Sequence, residues 1–138
     1  MSLFNFWKKE DKTESYTLSE KEVRWNKFIE EICCSDRELS SLSETQKMAV
    51  LCFWYDSEMQ NGGFCQYQDN YPGIDPIELK EALATIGNDE IVRNYSKALE
   101  EGEQDDWEET DAAYGRLSPS LCDLLQDFVE KHKEEIFK

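Results

Sequence analysis

Positive charge is in short supply in this 138-residue chain: 15 lysines and arginines stand against 31 aspartates and glutamates, a formal net charge of −16. A surface of that balance repels nucleic acid and anionic membranes and attracts basic proteins, so direct binding to DNA, RNA or a membrane is not expected. Histidine is nearly absent. The single copy, His132, excludes a histidine-based metal cluster within one chain. No G-x-S-x-G elbow, P-loop or G-x-G-x-x-G is present to carry acyl-transfer or nucleotide chemistry. Cys52 or Cys65 meeting His132 in space would be a dyad, set against the commoner role of such a cysteine in packing. The expectation is a non-enzyme that needs no metal and no cofactor. The five cysteines, Cys33, Cys34, Cys52, Cys65 and Cys122, are odd in number and include no C-x-x-C pair. They point to neither a disulfide framework nor a zinc knuckle, and they fit a reducing cytoplasm. No apolar run approaches a membrane span, and the apolar residues near Met1 are too few for a signal peptide. Strand-like alternation is missing as well.

What is present has helical spacing. Residues 1–16 read as an arm, an aromatic cluster followed by mixed charge, and residues 17–138 as one acidic helical domain. Ser19 and Glu22 form an S-x-x-E capping box ahead of Trp25, Phe28, Ile29 and Ile32. Ser43 and Gln46 form a second box, and behind it Met48 to Tyr55 is apolar without interruption, which in a helix means burial on nearly all sides. Asp75-Pro76 opens a helix carrying Leu79, Ala82, Leu83 and Ile86, and Gly87 closes it. Asn88 caps the next, with Ile91, Tyr95, Ala98 and Leu99 facing inward. Ser118-Pro119 opens the last, with Leu121, Leu124, Leu125, Phe128 and Val129 as its stripe. The pattern predicts an all-α fold, a single compact domain of roughly six helices with short connections. Helices are expected over 19–34, 44–60, 76–86, 89–101 and 119–136.

Between the second and third of these lies Asn61-Gly62-Gly63-Phe64-Cys65-Gln66-Tyr67-Gln68-Asp69-Asn70. The buried helix must stop, and Asn61-Gly62 tolerates the left-handed conformation that closes a helix. Gly63 would admit a close backbone neighbour. Phe64, Tyr67 and Tyr71 form an apolar stripe if a short helix resumes, and the amides of Gln66 and Asn70 then share one face, placed to satisfy backbone groups freed by the break. The alternative is a small-ligand site using Gln66, Tyr67 and Asn70. The string Glu58-x-x-Asn61-Gly62-Gly63-Phe64-x-Gln66-Tyr67-x-x-Asn70 resembles the signature of a bacterial family of small, acidic, helical proteins, the DNA-mimic-protein-like (DMP) domains. Most of its members have no known function, and the best known engages a DNA-binding regulator as a DNA mimic. Gln68 departs from the pattern, where a second aromatic is expected. The resemblance implies a helical fold and a structural role for the motif, while mimicry has to be sought in the carboxylates.

These concentrate in residues 100–111, where Glu100, Glu101, Glu103, Asp105, Asp106, Glu108, Glu109 and Asp111 occur with no base among them. Were the run one helix, it would extend about 18 Å and approach the line charge of duplex DNA. It lacks the D-x-D-x-D-G order of a calcium loop. A solvated loop that maintains solubility is the plain alternative. The expected partner is a basic protein, such as a DNA-binding regulator, or a basic toxin if the protein is of the immunity type. The oligomeric state is open, a homodimer included.

Overall fold

The computed structural model describes residues 17–138, so the expected arm at 1–16 lies outside the described residues. Eight α-helices occur among the described residues, more than the expected six, and no strand. They are α1 (Glu20–Phe28), α2 (Glu44–Asn61), α3 (Gly63–Asn70), α4 (Pro76–Ile86), α5 (Asp89–Glu101), α6 (Glu108–Tyr114), α7 (Leu121–Lys131) and α8 (Lys133–Ile136). A π-helical turn, Ile29–Cys33, extends α1, and 3-10 turns lie at Leu39–Ser41 and Gly102–Asp105.

The caps form where side chains can satisfy the free N–H groups of a first turn. Ser19 and Ser43 each complete the reciprocal box, Asp75 accepts from the Ile77 N–H, and Asn88 accepts from the Ile91 N–H. The last long helix differs from expectation. Ser120, not Ser118, accepts from the Asp123 N–H at 3.1 Å, so Ser118-Pro119, joined by a cis bond, stays in the loop. His132 leaves the helical region at φ −111°, which divides the expected 119–136 helix into α7 and α8. The other additional helix, α6, arises inside the acidic run.

The apolar run makes α2 the central element. No residue from Thr45 to Met59 is exposed, and the helix packs against α3, α4, α7, α8 and the π-helical turn. Tyr55 is its hub: fully buried, it meets Phe64, Tyr67, Tyr95 and Tyr114 edge-on at centroid distances of 4.9–6.4 Å. Each such pair contributes about 0.5–1.5 kcal/mol beyond the area it buries. Leu99, expected inside, is 45% exposed, while its neighbour Ala98 is buried. Side chains one step apart on a helix point about 100° apart, and the inward arc of α5 ends at Ala98. On the far side, Arg24 of α1 grips both oxygens of Glu130 on α7. No helix of the described residues is long and apolar enough to cross a membrane.

Candidate partner-binding surface

The α2–α3 joint is a knuckle with two sides. Gly62 sits at φ −127°, an ordinary conformation, and the left-handed residue is Gly63 at φ +83°, one step later than the sequence predicts. On one side the amides of Gln66 and Asn70 both donate to Glu58 Oε1, at 2.6 and 3.0 Å. They bind a carboxylate, not the backbone groups expected for them. Gly62 is the groove through which the Gln66 side chain crosses: a Cβ there would lie 2.1 Å from Gln66 Oε1. Asn61 is exposed at the end of α2, and Tyr67 is buried in the aromatic core.

On the other side the joint meets the acidic run. The break frees the Phe64 N–H, and Asp111 Oδ1 accepts it at 3.0 Å. The close neighbour at Gly63 is therefore a carboxylate and not a backbone, since a Cβ would stand 2.2 Å from Asp111 Oδ2. Asp111, expected among the partner-facing acids, is half-buried and is used inside the fold. Phe64 is 1% exposed and stacks on Trp107 at 5.6 Å and 27°.

The run itself is a corner. α5 ends at Glu101, a 3-10 turn follows, and Asp106 and Trp107 both take left-handed conformations (φ 55° and 60°) before α6 begins at Glu108. The single helical line of 18 Å that would approach the line charge of DNA does not form, because two consecutive residues leave the helical region and reverse the chain. Such conformations are costly for non-glycine residues and persist where the surroundings enforce them. Three bonds do so here. The Trp107 N–H donates to the Gly102 carbonyl at 2.7 Å, the indole Nε1–H donates to the Ala98 carbonyl at 2.9 Å, and Asp105 Oδ2 accepts the Glu109 N–H at 3.1 Å. Gly102 leaves room for the indole, as a Cβ there would lie 2.0 Å from Trp107 Cδ1. The outer side of this corner presents Glu100, Glu101, Glu103, Asp105, Asp106, Glu108 and Glu109, all seven exposed. Among the described residues, Arg116 pairs with Glu109 alone, at 3.5 Å.

The field of the corner extends onto α3. Burial first, then Asp106, Asp111 and Asp69, hold the exposed Cys65 thiol above its ordinary value, away from the thiolate a nucleophile needs. Burial, with Asp56 beside it, pushes the Cys52 thiol up much further. The His132 ring lies tilted by 37° against Phe128 at 4.3 Å, and its Nδ1 faces Glu135 at 2.9 Å. Among the described residues no three side chains of the His, Cys, Asp or Glu kind are grouped to hold a metal ion.

Two residues that carry much of this arrangement escape sequence reasoning. Trp107 was hidden in the acidic run, although a lone indole among carboxylates is itself a signal of an anchor. Asp56 is 7% exposed and accepts from the Tyr114 hydroxyl at 2.6 Å, which ties α2 to α6. Its place directly after the buried apolar run could have marked it.

The sequence pattern of the family described as DMP19-like protein matches residues 40–136, well over half of the chain. This chain belongs to the DMP19-like protein family. The match begins just before α2 and ends at the last residue of α8, so it takes in both the knuckle and the acidic corner of this member of the family. No curated protein and no solved structure matches.

Proposed function

We propose that the chain is an acidic protein-interaction module whose corner at residues 100–109 occupies the basic surface of a nucleic-acid-binding protein, in place of the nucleic acid. The observation that carries this is the corner itself: seven exposed carboxylates on a backbone pinned from beneath by Trp107 and Asp105. A flexible acidic loop loses conformational freedom on binding, and a pinned one has lost most of it already. Crowded carboxylates also repel one another, so a cationic partner relieves a cost present in the free protein. Carboxylates grouped around a corner resemble nucleic acid in their potential more than in phosphate spacing. Membership of the DMP19-like family is consistent with this role. The small-ligand alternative finds no support in the geometry, since Gln66 and Asn70 are engaged by Glu58 and Tyr67 is buried.

Affinity capture at low and high salt, with the wild type beside a Glu101→Gln, Glu103→Gln, Asp106→Asn, Glu108→Gln variant, tests the proposal. Asp105 and Asp111 are left intact because both hold the backbone. Basic nucleic-acid-binding proteins are expected on the wild type, released by salt and by added duplex DNA, and lost on the variant. A basic toxin as the captured species would make the chain an immunity protein. Equal capture by both forms would reduce the corner to a solubilising loop.

A further inference from the structure

The family pattern matches from residue 40 onward, so α1 lies outside it, although α1 covers residues that the pattern includes. It packs on α7 and, through two aromatics one turn apart, on α2. Phe28 is fully buried and Trp25 partly so, and they meet Phe53 edge-on at centroid distances of 6.2 and 6.0 Å. The flank of α1 towards α7 is basic. Lys21 pairs with Asp127 at 3.1 Å, and Arg24 Nε donates to Glu130 Oε2 at 2.9 Å. Lys27 stands over the Phe137 ring at 5.5 Å.

The attachment of α1 is one-sided. At its C-terminal end the π-helical turn is anchored: Ile32 and Cys33 are buried, and the Trp54 indole Nε1–H donates to the Cys33 carbonyl at 3.1 Å. At its other end Thr17 and Ser19 are exposed. π-helical turns are among the places where helices kink, so α1 can lift about Ile29 while α2 and α7 stay packed. A helix as short as Glu20–Phe28 is marginal in water without a neighbour. Lifting therefore unwinds it as well and leaves its seat bare.

We infer that α1 is the displaceable occupant of a helix-docking site on α2 and α7, and that the site takes a helix of a partner protein. That helix carries the two marks of α1, aromatics one turn apart and bases along the flank that faces Asp127 and Glu130. Its fit is set by charge as well as by shape. Lifting α1 takes Lys21 from Asp127 and Arg24 from Glu130, which keeps Lys133 at 3.8 Å. A basic flank replaces both pairs, whereas an acidic flank meets like charge. The aromatics then refill the place of Trp25 and Phe28 against Phe53. The site is built on α2 and α7, apart from α5 and α6, and does not rest on the acidic-corner function.

Native-state hydrogen exchange on the full-length protein tests the lifting. The amides of residues 23–28 should exchange through an opening at least about tenfold more frequent than the one that exposes the buried amides of α2. A capped synthetic peptide of residues 17–32, titrated into the isotopically labelled protein and followed by NMR, tests the docking. The tethered α1 competes at roughly millimolar effective concentration, so the peptide should bind an Arg24→Glu protein about tenfold more tightly than the wild type. Its shifts should fall on α2 and α7. The same peptide carrying Arg24→Glu should not bind the Arg24→Glu protein. It should bind a Glu130→Arg protein, which in turn should refuse the unaltered peptide. Exchange of the α1 amides only together with those of α2 makes α1 an integral part of the domain and overturns the inference. Binding of both peptides equally, or of neither, to the two variant proteins overturns it too, and leaves the acidic-corner function standing.

Discussion

Phe64 touches Tyr55 and Tyr67 on one side and Trp107 on the other, so a single ring joins the core to the acidic corner. Phe64→Ala should cost about 3–5 kcal/mol in urea unfolding, the range for a buried phenylalanine. A melt like the wild type's would remove it from the core. Gly63→Ala should also destabilise, by at least the roughly 1–2 kcal/mol of a left-handed alanine, because the new Cβ also meets Asp111. Asp56 makes a prediction of a different kind. Burial raises its pKa above the ordinary 3.8, outweighing the hydrogen bonds from Tyr114 and Gln60. The folded state then holds its proton more tightly than the unfolded state, so its contribution to stability is complete below 3.8 and is lost as pH rises through the raised value. Asp56→Asn abolishes that slope, and urea unfolding across a pH series should show the variant gaining on the wild type through this window. A difference that is constant with pH would refute the assignment. At this scale the sequence was legible where chemistry is local. The glycines at the joint announced special geometry, but which one turns left-handed depends on a carboxylate 48 residues away, and nothing local encodes that.

Among the elements, α2, α4 and α5 lie within a residue of where periodicity and caps put them, because Ser43, Asp75 and Asn88 specify their own first turns. The uniform composition of the acidic run left its shape open between a helical line and a solvated loop, because its conformation is set by Trp107 reaching back to Ala98. The clamp between α1 and α7 was equally invisible, since Arg24 and Glu130 are far apart in sequence. Its hydrogen bond to Arg24 holds the Glu130 carboxyl below its ordinary 4.5. For a depressed carboxyl the stabilisation is present above the ordinary value and disappears as pH falls through the folded one. A double-mutant cycle of Arg24→Met and Glu130→Gln should therefore give a coupling that is steady at neutral pH and vanishes in acid. Coupling that grows on acidification would contradict the clamp.

For the whole molecule, a net charge of −16 means that folding gathers like charges, and screening them should favour the native state. The melting temperature should accordingly rise as sodium chloride is increased to about 0.5 M, most steeply at the low end where the Debye length is changing fastest. The four-fold neutral corner variant should show a shallower rise, and an identical slope would mean that the corner adds no strain of its own. The pinning of that corner has a consequence for how its sequence can change. Ala98, Gly102, Asp105, Trp107 and Glu109 are linked by bonds that count residues: indole to Ala98, amide to Gly102, and carboxylate to Glu109. Glu103 and Glu108 can be exchanged one by one, whereas Asp106, at φ 55°, can give way only to a residue that tolerates the left-handed conformation. Adding or deleting a single residue between 102 and 107 would carry the indole off its carbonyl and the ring off Phe64. The spelling of the corner is largely free, and its length is not.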